Sequence, residues 1–289
     1  MISDLEVFSH TPSRVGESPV WDADRMRLLW ADIPTGQIRA KGVDGGEETV
    51  WQLPEPVGSF GLTSDGRLVV GLASGVALFD TATGRLDRLA EPEPEQAEHL
   101  PSNRLNDGKV GPDGAFWIGS MHKVGSGGAA LWRVTADGRA EKKVSGLTTS
   151  NGLAFSADGR TMFHADSGQC WLDRWEFDPA TGHIGKRTRI AEPDDSVGRS
   201  DGAAADVNGR YWSAGVRAGR LNLFEADGKL VGSADVPVRR PTMPCFGGHD
   251  MKTLFFTSIR RPGDAGPDCG KVFRCRTDVA GVPVSRFRV

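Results

Sequence analysis

The sequence predicts an all-β protein folded as a six-bladed β-propeller, and two observations carry this prediction. The first is composition: the 289 residues include 38 glycines, 17 prolines and 8 tryptophans, which is typical of many short strands joined by tight turns. The second is a motif that occurs six times at intervals of 41 to 50 residues, the length of a propeller blade.

Each repeat places a turn-forming residue seven positions after its first residue. The repeats begin at Glu17, Gly58, Asn106, Asn151, Asp201 and Met243, and their turn residues are Asp24, Asp65, Asp113, Asp158, Asn208 and Asp250. Four of the turn residues are followed by glycine, the signal of a two-residue hairpin that needs positive φ. An apolar strand follows each turn. A β-sandwich also repeats turns, but nothing in that fold requires one constant offset.

The six repeats account for almost the whole chain. We therefore expect one propeller domain over residues 1–289, with blades starting near 17, 58, 106, 151, 201 and 243. Residues 1–16 are expected to supply the outer strand of the last blade and so close the ring. The segments 91–102 and 125–128 are predicted to be surface loops.

Charge and apolar runs exclude several classes of partner. Lys and Arg number 35 against 38 Asp and Glu, so no global field attracts nucleic acid or an anionic membrane. No segment approaches the roughly 18 apolar residues of a membrane span. The N-terminus has no signal-peptide pattern, and the four cysteines include no CxxC pair. We expect a cytoplasmic protein, and take it to be a monomer or weak homo-oligomer.

The first residue of each repeat is the candidate site. The innermost strand of every blade lines the central channel of a propeller, so equivalent positions converge on its axis. Four of the six are carboxylates or carboxamides: Glu17, Asn106, Asn151 and Asp201. Buried carboxylates repel unless a cation compensates, and oxygen ligands suit Ca²⁺, Mg²⁺ or Mn²⁺, with Zn²⁺ less usual. We predict one divalent ion. Taken singly, each residue could instead cap local backbone groups.

Five ordered segments resemble the regucalcin/gluconolactonase family, also called senescence marker proteins. They are GESPVW (16–21), NRLNDGKV (103–110), SNGLAFSADG (150–159), SDGAAAD (200–206) and PCFGG (244–248). The resemblance spans essentially the whole chain and implies a six-bladed propeller that hydrolyses a sugar lactone. It further implies that Glu17, Asn151 and Asp201 are metal ligands, that Asp201 is also the acid/base, and that Arg104 and Asn106 contact substrate.

Two places depart from the family pattern. His122 and Lys123 lie where a regucalcin-like sequence carries a substrate-contacting glutamate, and here the chain is more similar to bacterial xylonolactonase-like members. Arg217 stands where an uncharged rim residue is expected. Both loops follow the second strand of a blade and so share one face of the disc. We hypothesise that His122 and Arg217 contact a polar or anionic group at the distal end of the substrate, such as a carboxylate, sulfonate or phosphate. Solvated side chains without a specific role are the alternative.

Lactone hydrolysis needs a polarised carbonyl, an attacking water and a stabilised oxyanion. A bound divalent ion supplies the first and third as a Lewis acid. Asp201 could take the proton of the water and return it to the departing ring oxygen. Arg104 offers planar donors to sugar hydroxyls or to the carbonyl, or alternatively forms a structural pair with Asp107.

Two other functions are compatible with the same fold, because a propeller does not determine an activity. A non-catalytic calcium-binding propeller would hold the ion and hydrolyse no lactone. A hydrolase of the phosphotriesterase or arylesterase type would need an apolar pocket, whereas Arg104, His122, Lys123 and Arg217 predict a polar one. The chain contains no G-x-S-x-G, H-E-x-x-H or P-loop motif.

Overall fold

The chain adopts a nearly all-β fold in this computed structural model, which describes residues 1–93, 103–122, 127–264 and 266–289. Across these ranges there are 24 strands and one 3-10 turn, Ile33–Thr35. No helix in them is long and apolar enough to span a bilayer. Residues 94–102 and 125–126 of the two predicted loops, and Lys123, lie outside the described residues.

The strands follow one another along the chain with short connections. The first eight are β1 (Ile2–Ser9), β2 (Gly16–Asp22), β3 (Arg27–Asp32), β4 (Gln37–Gly42), β5 (Gly45–Gln52), β6 (Val57–Leu62), β7 (Leu68–Leu72) and β8 (Val76–Phe79). The next eight are β9 (Leu86–Ala90), β10 (Asn103–Val110), β11 (Phe116–His122), β12 (Ala129–Val134), β13 (Ala140–Leu147), β14 (Ser150–Phe155), β15 (Thr161–Asp166) and β16 (Trp171–Asp178). The last eight are β17 (His183–Ala191), β18 (Arg199–Ala205), β19 (Tyr211–Val216), β20 (Arg220–Phe224), β21 (Leu230–Asp235), β22 (Pro241–Gly247), β23 (Thr253–Ser258) and β24 (Val272–Thr277).

Six antiparallel four-stranded sheets form the blades of a propeller. Blades 1 to 5 are β2–β5, β6–β9, β10–β13, β14–β17 and β18–β21, and blade 6 combines β22, β23 and β24 with β1 as its outer strand. The innermost strands contact one another around a closed ring, in the order β2, β6, β10, β14, β18, β22 and back to β2. The predicted six-bladed β-propeller is confirmed.

The first hairpin of each blade is longer than the two-residue turn that the sequence predicts. In blade 2 the amide of Thr63 bonds to the carbonyl of Arg67 (3.2 Å), which encloses a three-residue loop. Asp65 stabilises that loop, because its Oδ1 accepts from the Thr63 hydroxyl (2.6 Å) and the Arg67 amide (3.2 Å). Gly66 then takes the left-handed position (φ 90°) that closes such a loop. The predicted positive φ is therefore correct and the predicted loop length is wrong.

The C-terminal segment crosses the face on which these first hairpins lie. Its backbone amides bond to a carbonyl in or beside four of these hairpins, at Met251, Ala205, Leu62 and Gly114. Residues 282–285 line a cavity of about 210 Å³ at this end of the channel. The start of each innermost strand lies at the opposite, open end of the channel, which the C-terminal segment does not cross.

Candidate active site

Every innermost strand is irregular at the first residue of its repeat. The ladder between the first and second strand shifts register in all six blades, between Glu17 and Val20 in blade 1 and at the equivalent place in the others. In blades 1 and 4 the next residue has a positive φ: Ser18 at 48° and Gly152 at 64°. Bulges of this kind redirect side chains, and they are common beside active sites. Here they turn side chains from the ladder towards the channel.

Five of the six first residues line a single cavity of about 340 Å³ at the open end of the channel. They are Glu17, Gly58, Asn106, Asn151 and Asp201. Met243 does not reach it, because its side chain packs against Gly202, and Thr242 lines the cavity in its place. The volume is in the range of small-molecule sites. The structure thus brings together the carboxylates and carboxamides that the repeat singled out.

Asn106 links a cationic group to a carboxamide of the next blade. Its Oδ1 accepts from Nη1 of Arg104 (2.8 Å), and its Nδ2 donates to Oδ1 of Asn151 (2.9 Å). The same Arg104 Nη1 donates to the carbonyl of Leu105 (2.9 Å). On the far side, Nδ2 of Asn151 donates to the hydroxyl of Ser167 (2.7 Å). Arg104 therefore bonds to Asn106 and not to Asp107, and its orientation in the cavity is held by two hydrogen bonds.

The carboxyl groups of the cavity repel one another. Burial, followed by the charges of Asp201 and Asp107, raises the pKa of Glu17 well above its ordinary value. Burial and the charge of Asp107 raise the pKa of Asp201 to about 8, and Arg104 opposes this rise. One hydrogen bond to Glu17 comes from the backbone amide of Ser18 (2.7 Å). Burial also lowers the pKa of Arg104.

Asp107 was not predicted as part of this site except as a possible structural partner of Arg104. It is buried, lines the cavity and accepts a hydrogen bond from the amide of Leu153 (3.2 Å), while its Oδ1 has no hydrogen-bond partner in the described structure. Burial raises its pKa to about 6, and Lys109 opposes this. Lys109 is half-buried, with its Nζ donating to the carbonyl of Ala203 (2.9 Å). The sequence feature that could have identified Asp107 is its position, one residue after the first residue of a repeat.

These groups fit a divalent cation. Glu17 and Asp201 both line the cavity, and the charge of Asp201 contributes to the raised pKa of Glu17, so a cation bound beside them would relieve repulsion. The described ranges contain no group of three His, Cys, Asp or Glu that could hold a metal. The candidate ligand set is of another composition, because its third member is a carboxamide, that of Asn151, in addition to the carboxylates of Glu17 and Asp201. Oxygen ligands of this mixture are those that hard divalent ions prefer.

The two predicted rim residues lie in different places. Arg217 lines the cavity from the turn between β19 and β20. His122 ends β11, and its ring lies against Gly128, while Met121 lines the cavity beside it. Two further arginines that the sequence did not single out, Arg199 and Arg261, also line the cavity. Neither occupies an equivalent position in the repeat, so the repeat does not predict them.

Comparison with known proteins identifies close similarities along the chain. The family model described as SMP-30/Gluconolactonase/LRE-like region matches residues 15–260. A 6-deoxy-6-sulfogluconolactonase of Pseudomonas putida is 40% identical, over 97% of this chain and 97% of its own. An L-arabinolactonase of Azospirillum brasilense is 32% identical, over 97% and 94%. The crystal structure of a calcium-binding protein, regucalcin, from Agrobacterium tumefaciens superimposes with a TM-score of 0.92 at 30% identity, covering 99% of this chain and 98% of that one.

Proposed function

The chain belongs to the SMP-30/gluconolactonase/LRE-like family, and on that premise we propose that it hydrolyses a sugar lactone to the corresponding aldonic acid. One observation carries the proposal: Glu17, Asn151, Asp201 and Arg104 converge in one cavity at the open end of the channel. The relatives named above support it, because both catalytic names denote aldonolactonases.

Glu17, Asn151 and Asp201 would hold one divalent ion. Such an ion, when bound, polarises a carbonyl, stabilises the developing oxyanion and lowers the pKa of water. Calcium is the metal associated by name with the structural relative from Agrobacterium tumefaciens, and magnesium, manganese and zinc are the alternatives to test. Compensation of the repulsion between Glu17 and Asp201 would favour binding.

Asp201 would act as the acid/base. A bound cation would favour its carboxylate form, which would accept a proton from the attacking water while the new C–O bond forms at the lactone carbonyl. When the bond between that carbon and the ring oxygen breaks, Asp201 returns the proton to the leaving oxygen. One proton is taken and one is given back, so the group ends each turnover as it began.

Arg104 would position the substrate. Its guanidinium is held by Asn106 and the carbonyl of Leu105, which leaves its other N–H groups for sugar hydroxyls or the carbonyl. Asn106 would act mainly through Arg104 and Asn151, because both ends of its carboxamide are already bonded to protein. This network makes the cavity polar, which favours a sugar over the apolar substrates of an arylesterase.

The finer part of the proposal concerns the substrate. The name of the Pseudomonas putida relative places a sulfonate on carbon 6 of its lactone. We propose that this chain also accepts aldonolactones with an anionic group at the end remote from the carbonyl.

Acid release from a panel of aldonolactones tests the proposed function. The protein is treated with chelator, then assayed alone and with added Ca²⁺, Mg²⁺, Mn²⁺ or Zn²⁺. We expect ion-dependent hydrolysis of at least one lactone above its spontaneous rate. Tight binding of an ion without hydrolysis of any lactone would instead favour the non-catalytic calcium-binding function.

A further inference from the structure

We propose that Arg199, Arg217 and Arg261 together form an anion-binding subsite that selects lactones bearing an anionic distal substituent. This inference rests on the proposed function and names the residues that would bind the anionic group of the substrate. All three line the same cavity as the candidate catalytic groups. A sulfonate or a phosphate ester presents the same ligand chemistry here, namely tetrahedral oxygens that bind guanidinium groups.

The three arginines lie on one sector of the cavity wall. Arg199 is the first residue of β18, and Arg217 lies between β19 and β20, so both belong to blade 5. Arg261 follows β23 in blade 6. In a closed ring of six, blade 6 is opposite blade 3, which carries Arg104. A lactone that extends across the cavity from Arg104 would have its distal end directed towards blade 6 and its neighbour, blade 5.

These arginines have few partners among the described residues, and Arg199 alone of the three forms an ion pair there. Within the described ranges the side chains of Arg217 and Arg261 make no ion pair or hydrogen bond. Arg199 makes only long contacts, to Asp195 (3.8 Å) and to the carbonyl of Ser167 (3.5 Å), and its buried Nε has no hydrogen-bond partner. By contrast, the nearby Arg220 and Arg240 are paired with Asp235 and Asp264. The subsite thus keeps donors free for a ligand.

The backbone at Arg217 gives an independent sign of function. The amide of Ala218 bonds to the carbonyl of Gly215 (3.2 Å), so Arg217 occupies the third position of a tight turn. Its φ is 77°, in the left-handed region that favours glycine at this position. Residues in strained conformations of this kind cluster at active sites and ligand-binding sites. A ligand-binding role of the side chain would explain why an arginine and not a glycine occupies this position.

Electrostatics further favours an anionic substrate. The positive charges of Arg199, Arg217 and Arg261 would attract a sulfonate or phosphate at the distal end of the lactone. Charge-assisted hydrogen bonds of this type change KM by about 10- to 150-fold.

The test compares kcat/KM for glucono-1,5-lactone with that for its 6-phospho and 6-deoxy-6-sulfo analogues. The proteins are wild type, Arg199→Gln, Arg217→Ala, Arg261→Gln and the control Arg260→Gln. Arg260 is the exposed neighbour of Arg261 and does not line the cavity. We expect wild type and Arg260→Gln to prefer an anionic lactone by at least about 10-fold, and each of the other variants to lower that anionic-to-neutral ratio.

Two outcomes would overturn the subsite. One is equal kcat/KM for neutral and anionic lactones in wild type, and the other is a proportional loss on both substrates in all three variants. Comparison of the two analogues distinguishes sulfonate from phosphate as the preferred anion. If no lactone is hydrolysed, the proposed function fails, and calorimetric binding of 6-phosphogluconate to wild type and Arg217→Ala tests the subsite on its own. Equal affinity for that ligand in the two proteins would then overturn the subsite.

Discussion

Asn106 in blade 3 donates a hydrogen bond from Nδ2 to Oδ1 of Asn151 in blade 4 across 2.9 Å, and so couples two sides of the candidate site. The same carboxamide donates to the carbonyl of Ser150 (3.0 Å) and accepts from Arg104. One residue thus orients a candidate metal ligand and the guanidinium that faces the substrate.

Asn106→Ala is expected to weaken both metal and substrate binding. Removal of the carboxamide leaves Asn151 without its donor and Arg104 without one of its two acceptors. Loss of an outer-shell partner typically lowers metal affinity about 10- to 100-fold, and a freed Arg104 should raise KM. Calorimetric titration of the chelated protein with Ca²⁺ and steady-state kinetics measure the two effects. If both the metal Kd and KM stay at wild-type values, Asn106 does not orient the site.

Metal removal should abolish activity and lower stability together. An ion at 100 times its Kd raises the free energy of unfolding by about 2.7 kcal/mol, so chelation should lower Tm and re-addition should restore it.

In Glu17→Ala the ion-dependent shift in Tm should disappear. Apo Glu17→Gln, by contrast, should be at least as stable as apo wild type, because it removes a buried carboxylate that Asp201 and Asp107 repel. A full metal-dependent shift in Glu17→Ala would place the ion elsewhere.

Asp201→Asn separates metal binding from proton transfer. Asparagine retains an oxygen ligand but cannot accept the proton of the attacking water. A lost acid/base reduces the rate by about 10²- to 10⁴-fold, so we expect kcat to fall by that order while metal analysis shows retained ion. A slowly opening lactone is the suitable substrate, since its spontaneous hydrolysis can be subtracted. An unchanged kcat would exclude Asp201 from proton transfer.

The repeat explains which parts of the site were predictable. Glu17, Asn151 and Asp201 occupy one equivalent position, so a period in the sequence was enough to bring them together. Arg199 and Arg261 are not equivalent to each other or to Arg217, and only the arrangement of the blades places them in one wall. Asp107 follows a repeat start by one residue, but the repeat does not predict that a side chain at this second position lines the cavity.

In the hairpins, too, local conformation can be predicted from the sequence, whereas contacts between distant segments cannot. Glycine after the turn residue predicted positive φ correctly at Gly66, because left-handed backbone is a local property of the residue. In blade 6 a methionine, Met251, takes the equivalent position with φ 56°. Its carbonyl also receives the amide of Gly281 from the C-terminal segment. That long-range contact is invisible in the sequence of the hairpin.

Buried His164 should make stability depend on pH. Burial and then the charge of Arg187 lower the pKa of its imidazole to about 3, below the value of about 6.5 of an unfolded chain. The unfolded state therefore binds a proton first as the pH falls below 6.5, and the folded state loses up to about 1.4 kcal/mol per pH unit from this group. Its stabilising contribution is complete above pH 6.5 and declines towards pH 3.

Urea unfolding of wild type and His164→Gln between pH 7.5 and 4.5 measures this contribution. Glutamine preserves a partner for the hydroxyl of Ser150, which lies 2.8 Å from Nε2 of His164, but does not titrate. The difference in unfolding free energy between the two proteins should therefore shrink as the pH falls. His183→Gln, at an exposed position, should show no such change. A difference that stays constant for His164→Gln would mean that the imidazole titrates alike in the folded and unfolded states.

Arg217→Gly and Arg217→Ala should differ in their effect on stability but have the same effect on substrate choice. Both remove the guanidinium, so both should lower the preference for anionic lactones. Only glycine adopts a φ of 77° without strain, and relief of such strain is worth about 1 kcal/mol. Arg217→Gly should therefore raise Tm by about 2 °C, while Arg217→Ala keeps a side chain in the left-handed conformation and gains nothing. Thermal unfolding of the three proteins without ligand makes the comparison, because a bound anion would stabilise wild type alone. A lower Tm in Arg217→Gly would indicate that the arginine side chain stabilises the fold itself. The strained backbone at Arg217 would then be explained by a structural role and not by ligand binding.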